Sequence, residues 1–297
     1  MGNILTKQFY RQRKDFEDSC AGRDAGLTFP EGVRCSTDIA YADDGIKAHM
    51  LDIYRPEDSQ EKILPVIINV HGGGLIIGNK EFNRYFCALL CKKGFLVYSI
   101  EYRLIPDCLI YDQIADVFMA MDYIKKERLA ADGGDSSHVY MAGDSGGACL
   151  ITYANAIQNS TNIARAANVT PSGLRINALG LISGMFYTSR FDKIGLFLPK
   201  YLYGRDYKKT PFAKYVNTEN RELLNSLAPV WLVTSHNDFL RRYTTDFEKA
   251  LTRAEREHEL VVFPKNKKLT HAFSVFEPFL PESSAVIDMM VEYLRKF

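Results

Sequence analysis

A chain of 297 residues with 46% hydrophobic and 25% charged residues has the make-up of a globular protein large enough to bury a full core without covalent staples. A formal net charge of +1 supplies no global basic field for nucleic acid, and the aromatics are not interleaved with Lys and Arg in any nucleic-acid motif. Nucleic acid is therefore excluded as a partner, and with no apolar run of spanning length, stable membrane insertion is not expected.

The N-terminal stretch MGNILTKQFYRQRK lacks the apolar core of a secretory signal. It fits the acylation pattern M-G-x-x-x-[ST] through Gly2 and Thr6, which in a eukaryote marks Gly2 for myristoylation. Residues 1–35 are polar, but Phe9, Tyr10 and Phe16 fall on one helical face, so the segment is expected to cap a larger unit. Strands are predicted near 37–42, 47–55, 65–71, 95–101, 138–142, 177–183, 230–235 and 259–263. Helices are predicted over 82–93, 112–128, 146–158, 241–257 and 283–296. Alternation of strand and helix implies an α/β fold with a mostly parallel sheet of about eight strands and helices on both faces. The first two strands have no helix between them and are expected to form an antiparallel edge. Residues 184–228 interrupt the rhythm with nine Phe and Tyr residues. A span of that length is seldom unstructured, and it leaves from a strand's carboxyl end, so a helical cap insertion within a single domain of residues 1–297 is expected.

The six cysteines, Cys20, Cys35, Cys87, Cys91, Cys108 and Cys149, include no CxxC pair. They read as reduced thiols of a cytoplasmic chain.

The chemistry is concentrated in three stretches. Gly143-Asp144-Ser145-Gly146-Gly147 fits G-x-S-x-G between an apolar strand and a helix-compatible run, the setting of a nucleophile elbow. The same letters surround the serine of all-β proteases, but those place His and Asp ahead of Ser; here the suitable pair follows it. Upstream, VIINV runs into His71-Gly72-Gly73-Gly74, whose uncovered amides suit an oxyanion. Gly73, Gly74 and Gly146 are the expected donors, Gly72 shapes the turn, and His71 anchors the loop. Of the histidines after Ser145, His258 lies in a charged tract and His236 stands only two residues from Asp238. His271, on a loop after the last strand, is the expected base, with Asp238 after the preceding strand as its orienting acid. The chemistry calls for no metal and no cofactor.

HGGG, GDSGG, YRLIPD (Tyr102–Asp107), NDFLR and HAF together resemble the hormone-sensitive-lipase-like esterases of the α/β-hydrolase fold, over most of residues 40–297. The resemblance implies a capped carboxylesterase acting on small-molecule esters, often of short acyl chains, with Ser145, Asp238 and His271 as triad. Two departures stand out: Gly146 replaces the family's usual alanine, and YRLIPD replaces YRLAPE. Arg103 and Asp107 are expected to form a structural ion pair. LDIYRPE also resembles bacterial acyl-carbohydrate esterases of this fold, leaving sugar esters, amides or formamides as alternative substrates and a non-catalytic ligand-binding relative as the contrary case.

Overall fold

Short β-branched runs and amphipathic stretches alternate along the chain. In a computed structural model that describes residues 2–59 and 62–297, they form one eight-stranded sheet flanked by helices. The strands are β1 (Val33–Ala40), β2 (Met50–Pro56), β3 (Leu64–Val70), β4 (Leu96–Ile100), β5 (Gly134–Asp144), β6 (Leu179–Ile182), β7 (Val230–Ser235) and β8 (His258–Phe263). Their spatial order is β1-β2-β4-β3-β5-β6-β7-β8. β1 and β2 pair antiparallel, β2 meets β4 antiparallel, and every other neighbour is parallel. The expected antiparallel edge is thus present.

The period of two along a strand divides the core. In β3, Val66, Ile68 and Val70 point into one apolar cluster while Ile67 points into the other. Both faces are covered, which is why VIINV reads as a continuous apolar run rather than an alternating one. On the first face lie α3 (Ile110–Tyr123), α4 (Ser145–Asn159), α5 (Thr161–Ala167) and α9 (Arg241–Arg253); on the second, α2 (Arg84–Lys92), α10 (Phe273–Phe276) and α11 (Pro281–Leu294).

The N-terminal segment forms α1 (Gly2–Asp24). Of the acylation pattern, Gly2 opens this helix and Thr6 lies within it, while Met1 is outside the described residues. Residues 184–228 hold only short helices, α6 (Lys193–Phe197), α7 (Pro199–Leu202) and α8 (Arg221–Asn225), plus two 3-10 turns. Among the described residues no helix is long and apolar enough to cross a membrane.

One expected contact is absent. Arg103 does not pair with Asp107; it clamps the buried Asp116 of α3, with contacts of 2.6 and 2.9 Å. Asp107 instead accepts hydrogen bonds from Tyr10 and Arg13 of α1, Arg13 at 2.7 Å. Four residues of separation made Arg103 and Asp107 look like neighbours. The turn between them sends the two side chains to different helices.

Candidate active site

The site assembles where β3, β5, β6 and β7 end. Strand β5 runs straight into α4, and the residue at the corner is Ser145, with a left-handed φ of +50°. Such a φ costs a non-glycine residue of order 1–3 kcal/mol and persists only where the surroundings enforce it. Enforcement comes from close packing: a Cβ on Gly147 would lie 2.2 Å from the Val70 carbonyl and 2.4 Å from that of His71. Only glycine lets the first turn of α4 press against the end of β3. The Ser145 carbonyl is tied down by the Met185 N–H at 2.9 Å.

The loops after β8 and β7 bring in the partners. His271 Nε2 lies 2.9 Å from Ser145 Oγ, and its Nδ1 lies 2.7 Å from Asp238 Oδ1. Asp238 also accepts from Thr234 Oγ1 and from the Leu240 N–H, each at 2.8 Å. Burial alone would raise this carboxyl; the hydrogen bond and charge of His271, the Leu240 amide and Ser183 outweigh it and hold Asp238 below its ordinary value. The His271 loop is pinned by the Ala272 N–H donating to Ser183 Oγ at 3.1 Å and by Ser235 Oγ donating to the Leu269 carbonyl.

The glycine turn faces the serine. Gly73 and Gly74 have φ of +100° and +61°, which leaves their N–H groups with no acceptor among the described residues. Gly146 is the second residue of α4, where an N–H has no intrahelical partner. The two arms touch: a Cβ on Gly146 would meet the Leu75 nitrogen at 2.8 Å and the Gly74 nitrogen at 3.0 Å. The departure from the family's alanine therefore goes with a tight approach of the Gly74–Leu75 backbone to Gly146.

All six site residues expected from sequence converge here. His236 and His258 do not: His236 is exposed and meets Arg241, and His258 bonds to the Arg256 carbonyl. His71 lies behind the glycine turn. Its Nδ1 stands 2.9 Å from the Gly72 carbonyl and its Nε2 2.9 Å from Glu101 Oε1. Burial works to lower this imidazole, but the charge and hydrogen bond of Glu101 and the Gly72 carbonyl raise it above its ordinary value.

Sequence reading missed two supports. Asp144, inside G-x-S-x-G, accepts from the Gly72 N–H and from Asn83 Nδ2, both at 3.0 Å, so it ties the serine corner to the glycine turn. Its burial pushes the carboxyl up. Arg13 of α1 donates to the carbonyls of Ile76 and Ile105 at 2.8 and 2.6 Å. Asp144 was visible as the variable letter of the motif; Arg13 carried no signal, because its partners are 63 and 92 residues away.

Above Ser145 opens a cavity of about 720 Å³, walled by Phe9 and Phe16 of α1, Ile194 and Phe197 of α6, and Met185 and Phe239. Of the nine aromatics in 184–228, only Phe197 lines it. Tyr203, Phe212 and Tyr215 are instead buried against Tyr153 and one another.

A family model described as the alpha/beta hydrolase fold matches residues 67–274. A probable isoprenylcysteine alpha-carbonyl methylesterase of Oryza sativa subsp. japonica is 29% identical over 164 residues, covering 54% of this chain and 39% of the relative. Tuliposide A-converting enzyme b1, amyloplastic, of Tulipa gesneriana is 30% identical over 131 residues, 40% of this chain and 35% of the relative. The chain thus spans about two fifths or less of the length of these curated relatives. The crystal structure of esterase B from Lactobacillus rhamnosis (HN001) superposes with a TM-score of 0.92 at 22% identity, covering 99% of this chain and 95% of that one, a likeness of fold. With the family model spanning well over half of its residues, the chain belongs to the hormone-sensitive-lipase-like family of the α/β-hydrolase fold.

Proposed function

We propose that the protein is a serine carboxylesterase that hydrolyses short-chain acyl esters through an acyl-enzyme intermediate. One observation carries the reading: an unbroken relay from Ser145 Oγ through His271 to Asp238, with links of 2.9 and 2.7 Å, beside amides that have no acceptor among the described residues.

In this reading Ser145 Oγ attacks the ester carbonyl carbon while His271 Nε2 takes its proton. Asp238 holds the ring with Nδ1 protonated and stabilises the imidazolium. The carbonyl oxygen, now an anion, is received by the N–H groups of Gly73, Gly74 and Gly146; in comparable sites losing one donor costs about 2.7–4 kcal/mol. The tetrahedral intermediate collapses, the C–O bond to the alcohol breaks, and His271 returns its proton to the leaving oxygen. Water then repeats the sequence on the acyl-enzyme, releasing the acid and restoring Ser145.

Within a single domain, α1 and residues 184–228 serve as the cap. A largely apolar space of about 720 Å³ falls within the range of small-molecule sites. The preference for short chains is also supported by the Lactobacillus esterase B, whose structure with a C4-C4 tributyrin phosphonate shares this fold. The six free thiols support a cytoplasmic setting, with burial pushing Cys91 and Cys149 up to about 12.

The test is a panel of p-nitrophenyl esters from acetyl to long acyl, with acetylated sugars and matched amides and formamides, run on the wild type and on Ser145→Ala. Fastest turnover on the short esters, lost in the variant together with labelling by a fluorophosphonate, is expected. Ester turnover undiminished in Ser145→Ala refutes the reading; a preference for amides or acetyl sugars moves it to another substrate on the same triad.

A further inference from the structure

The rim of the cavity is unusually apolar for a surface in contact with water. Phe191 is 95% exposed, Phe239 74%, Phe197 58% and Leu196 55%. Leu196 and Phe197 lie on α6 and Phe191 on the turn just before it. Phe197 and Phe239 both line the cavity. Phe191 sits on a turn fixed against α9, where Arg190 holds Asp246 at 2.8 Å and Asp192 accepts from Tyr243 at 2.6 Å. Apolar groups kept at a rigid rim gain free energy when something covers them.

Lysines stand on two of the segments beside these side chains. Lys193 opens α6, and Lys265, Lys267 and Lys268 stand on the loop between β8 and His271. That loop adjoins the Phe239 turn through the Asn266 N–H donating to Asn237 Oδ1 at 3.2 Å. All four lysines are exposed, and none forms an ion pair among the described residues. The nearby carboxylates are Asp192, which accepts from Tyr243; Asp246, held by Arg190, Arg242 and Lys249; Asp15 of α1, which lines the cavity beside Arg11; and Glu282, which accepts from Asn266 on the lysine loop. In a chain whose net charge is only +1, four unpaired cations beside a protruding aromatic rim are a local feature, not an overflow of basic composition.

We infer that this rim docks on an anionic lipid bilayer, with Phe191, Leu196, Phe197 and Phe239 entering the headgroup layer and the lysines meeting the negative surface. Aromatic side chains settle at the interface, and each nearby lysine adds attraction to anionic headgroups. The charge complementarity selects the occupant. A second copy meeting this patch about a twofold axis would set the same lysines against one another. A docked rim aims the mouth of the cavity into the membrane surface, so that an apolar ester enters from the leaflet without crossing water. Docking of this kind is peripheral and needs no spanning helix.

Binding is read by co-flotation with phosphatidylcholine vesicles with and without phosphatidylserine. It stands or falls apart from ester hydrolysis, because Ser145→Ala is expected to float like the wild type. The wild type should bind vesicles containing phosphatidylserine and lose that binding in high salt. At about one kcal/mol per lysine near such a surface, the combined Lys265→Glu, Lys267→Glu, Lys268→Glu variant should bind at least about a hundredfold more weakly. Phe191→Ser with Leu196→Ser should weaken binding about tenfold or more. Both variants should hydrolyse a water-soluble ester within about twofold of the wild type, which reports that they fold. Absence of wild-type flotation, equal binding by wild type and variants, or a dimer in sedimentation that Phe191→Ser dissolves would each overturn the inference.

Discussion

Two histidine–carboxylate pairs flank Ser145, and they are built for opposite ends. His271 and Asp238 stand 2.7 Å apart, His71 and Glu101 2.9 Å. Each imidazole follows a strand and each has a carboxylate on one nitrogen. What differs is the group at the other nitrogen. His271 Nε2 meets the Ser145 hydroxyl, which can donate, so that nitrogen is free to accept a proton. His71 Nδ1 meets the Gly72 carbonyl, which only accepts, so the ring is used as a double donor. A ring between two acceptors is a strut beneath the glycine turn, and its neighbours favour the protonated form; a ring between an acceptor and a hydroxyl is placed to act as a base. A carboxylate partner alone does not make a histidine catalytic.

The comparison can be broken most directly at the hydroxyl. Ser145→Ala removes the hydroxyl whose proton His271 Nε2 faces, and kcat on a soluble ester should drop about a million-fold, with melting temperature little changed. A loss of less than tenfold would mean that the hydroxyl is not the reacting group. The same chemical change made in both pairs sharpens the contrast. Asp238→Asn should lower kcat about ten-thousandfold, because the amide favours the wrong tautomer of His271. Glu101→Gln, assayed on folded protein, should cost less than about tenfold. Equal losses would erase the distinction between base and strut.

Next in size is Gly146→Ala, a return to the family's usual residue. With backbone nitrogens 2.8 and 3.0 Å from the new Cβ, the glycine turn must shift and the amides lose their convergence. Removing one oxyanion donor elsewhere costs about a hundredfold or more, and kcat should fall by up to that amount with KM nearly constant. An unchanged kcat would show that the turn yields without disturbing the amides.

The smallest effect is on stability, and its sign differs between the pairs. The raised His71 contributes stability that is complete below the ordinary imidazole value of about 6.5 and is lost as pH climbs through its folded-state value. The depressed Asp238 contributes stability present above the ordinary carboxylate value and lost as pH falls through its folded-state value. Thermal melts above about pH 6.5 should therefore show the wild type losing stability as pH rises, and Glu101→Gln starting lower but losing less. Parallel curves would mean that His71 carries no extra proton.

Much of this architecture could be read from residue order. The strand and helix order is recovered, and β7 falls where VWLVTS predicts it, at Val230–Ser235. The first strand is displaced: it begins at Val33 rather than near 37 because it pairs antiparallel with residues 50–56, an edge partner that local pattern does not reveal. The convergence of Ser145, His271, Asp238 and the glycine amides was legible because strand-end serine, glycine turn and loop histidine each need a particular residue type at a particular corner. Arg13 was not, since any surface helix contains arginines and only folding brings Ile76 and Ile105 beneath this one.

Sequence alone determined the alternating layers, the order Ser145, Asp238, His271 and the glycines that permit close backbone approach. These follow from periodicity and from steric demands written into single residues. Tertiary structure decided which carboxylate each arginine found, which histidine lies behind the glycine turn and which reaches Ser145, and which aromatics were buried and which were left exposed. Those outcomes depend on distances between segments far apart in the chain, and a hydrogen bond or an apolar contact acts only across the few ångströms that folding sets.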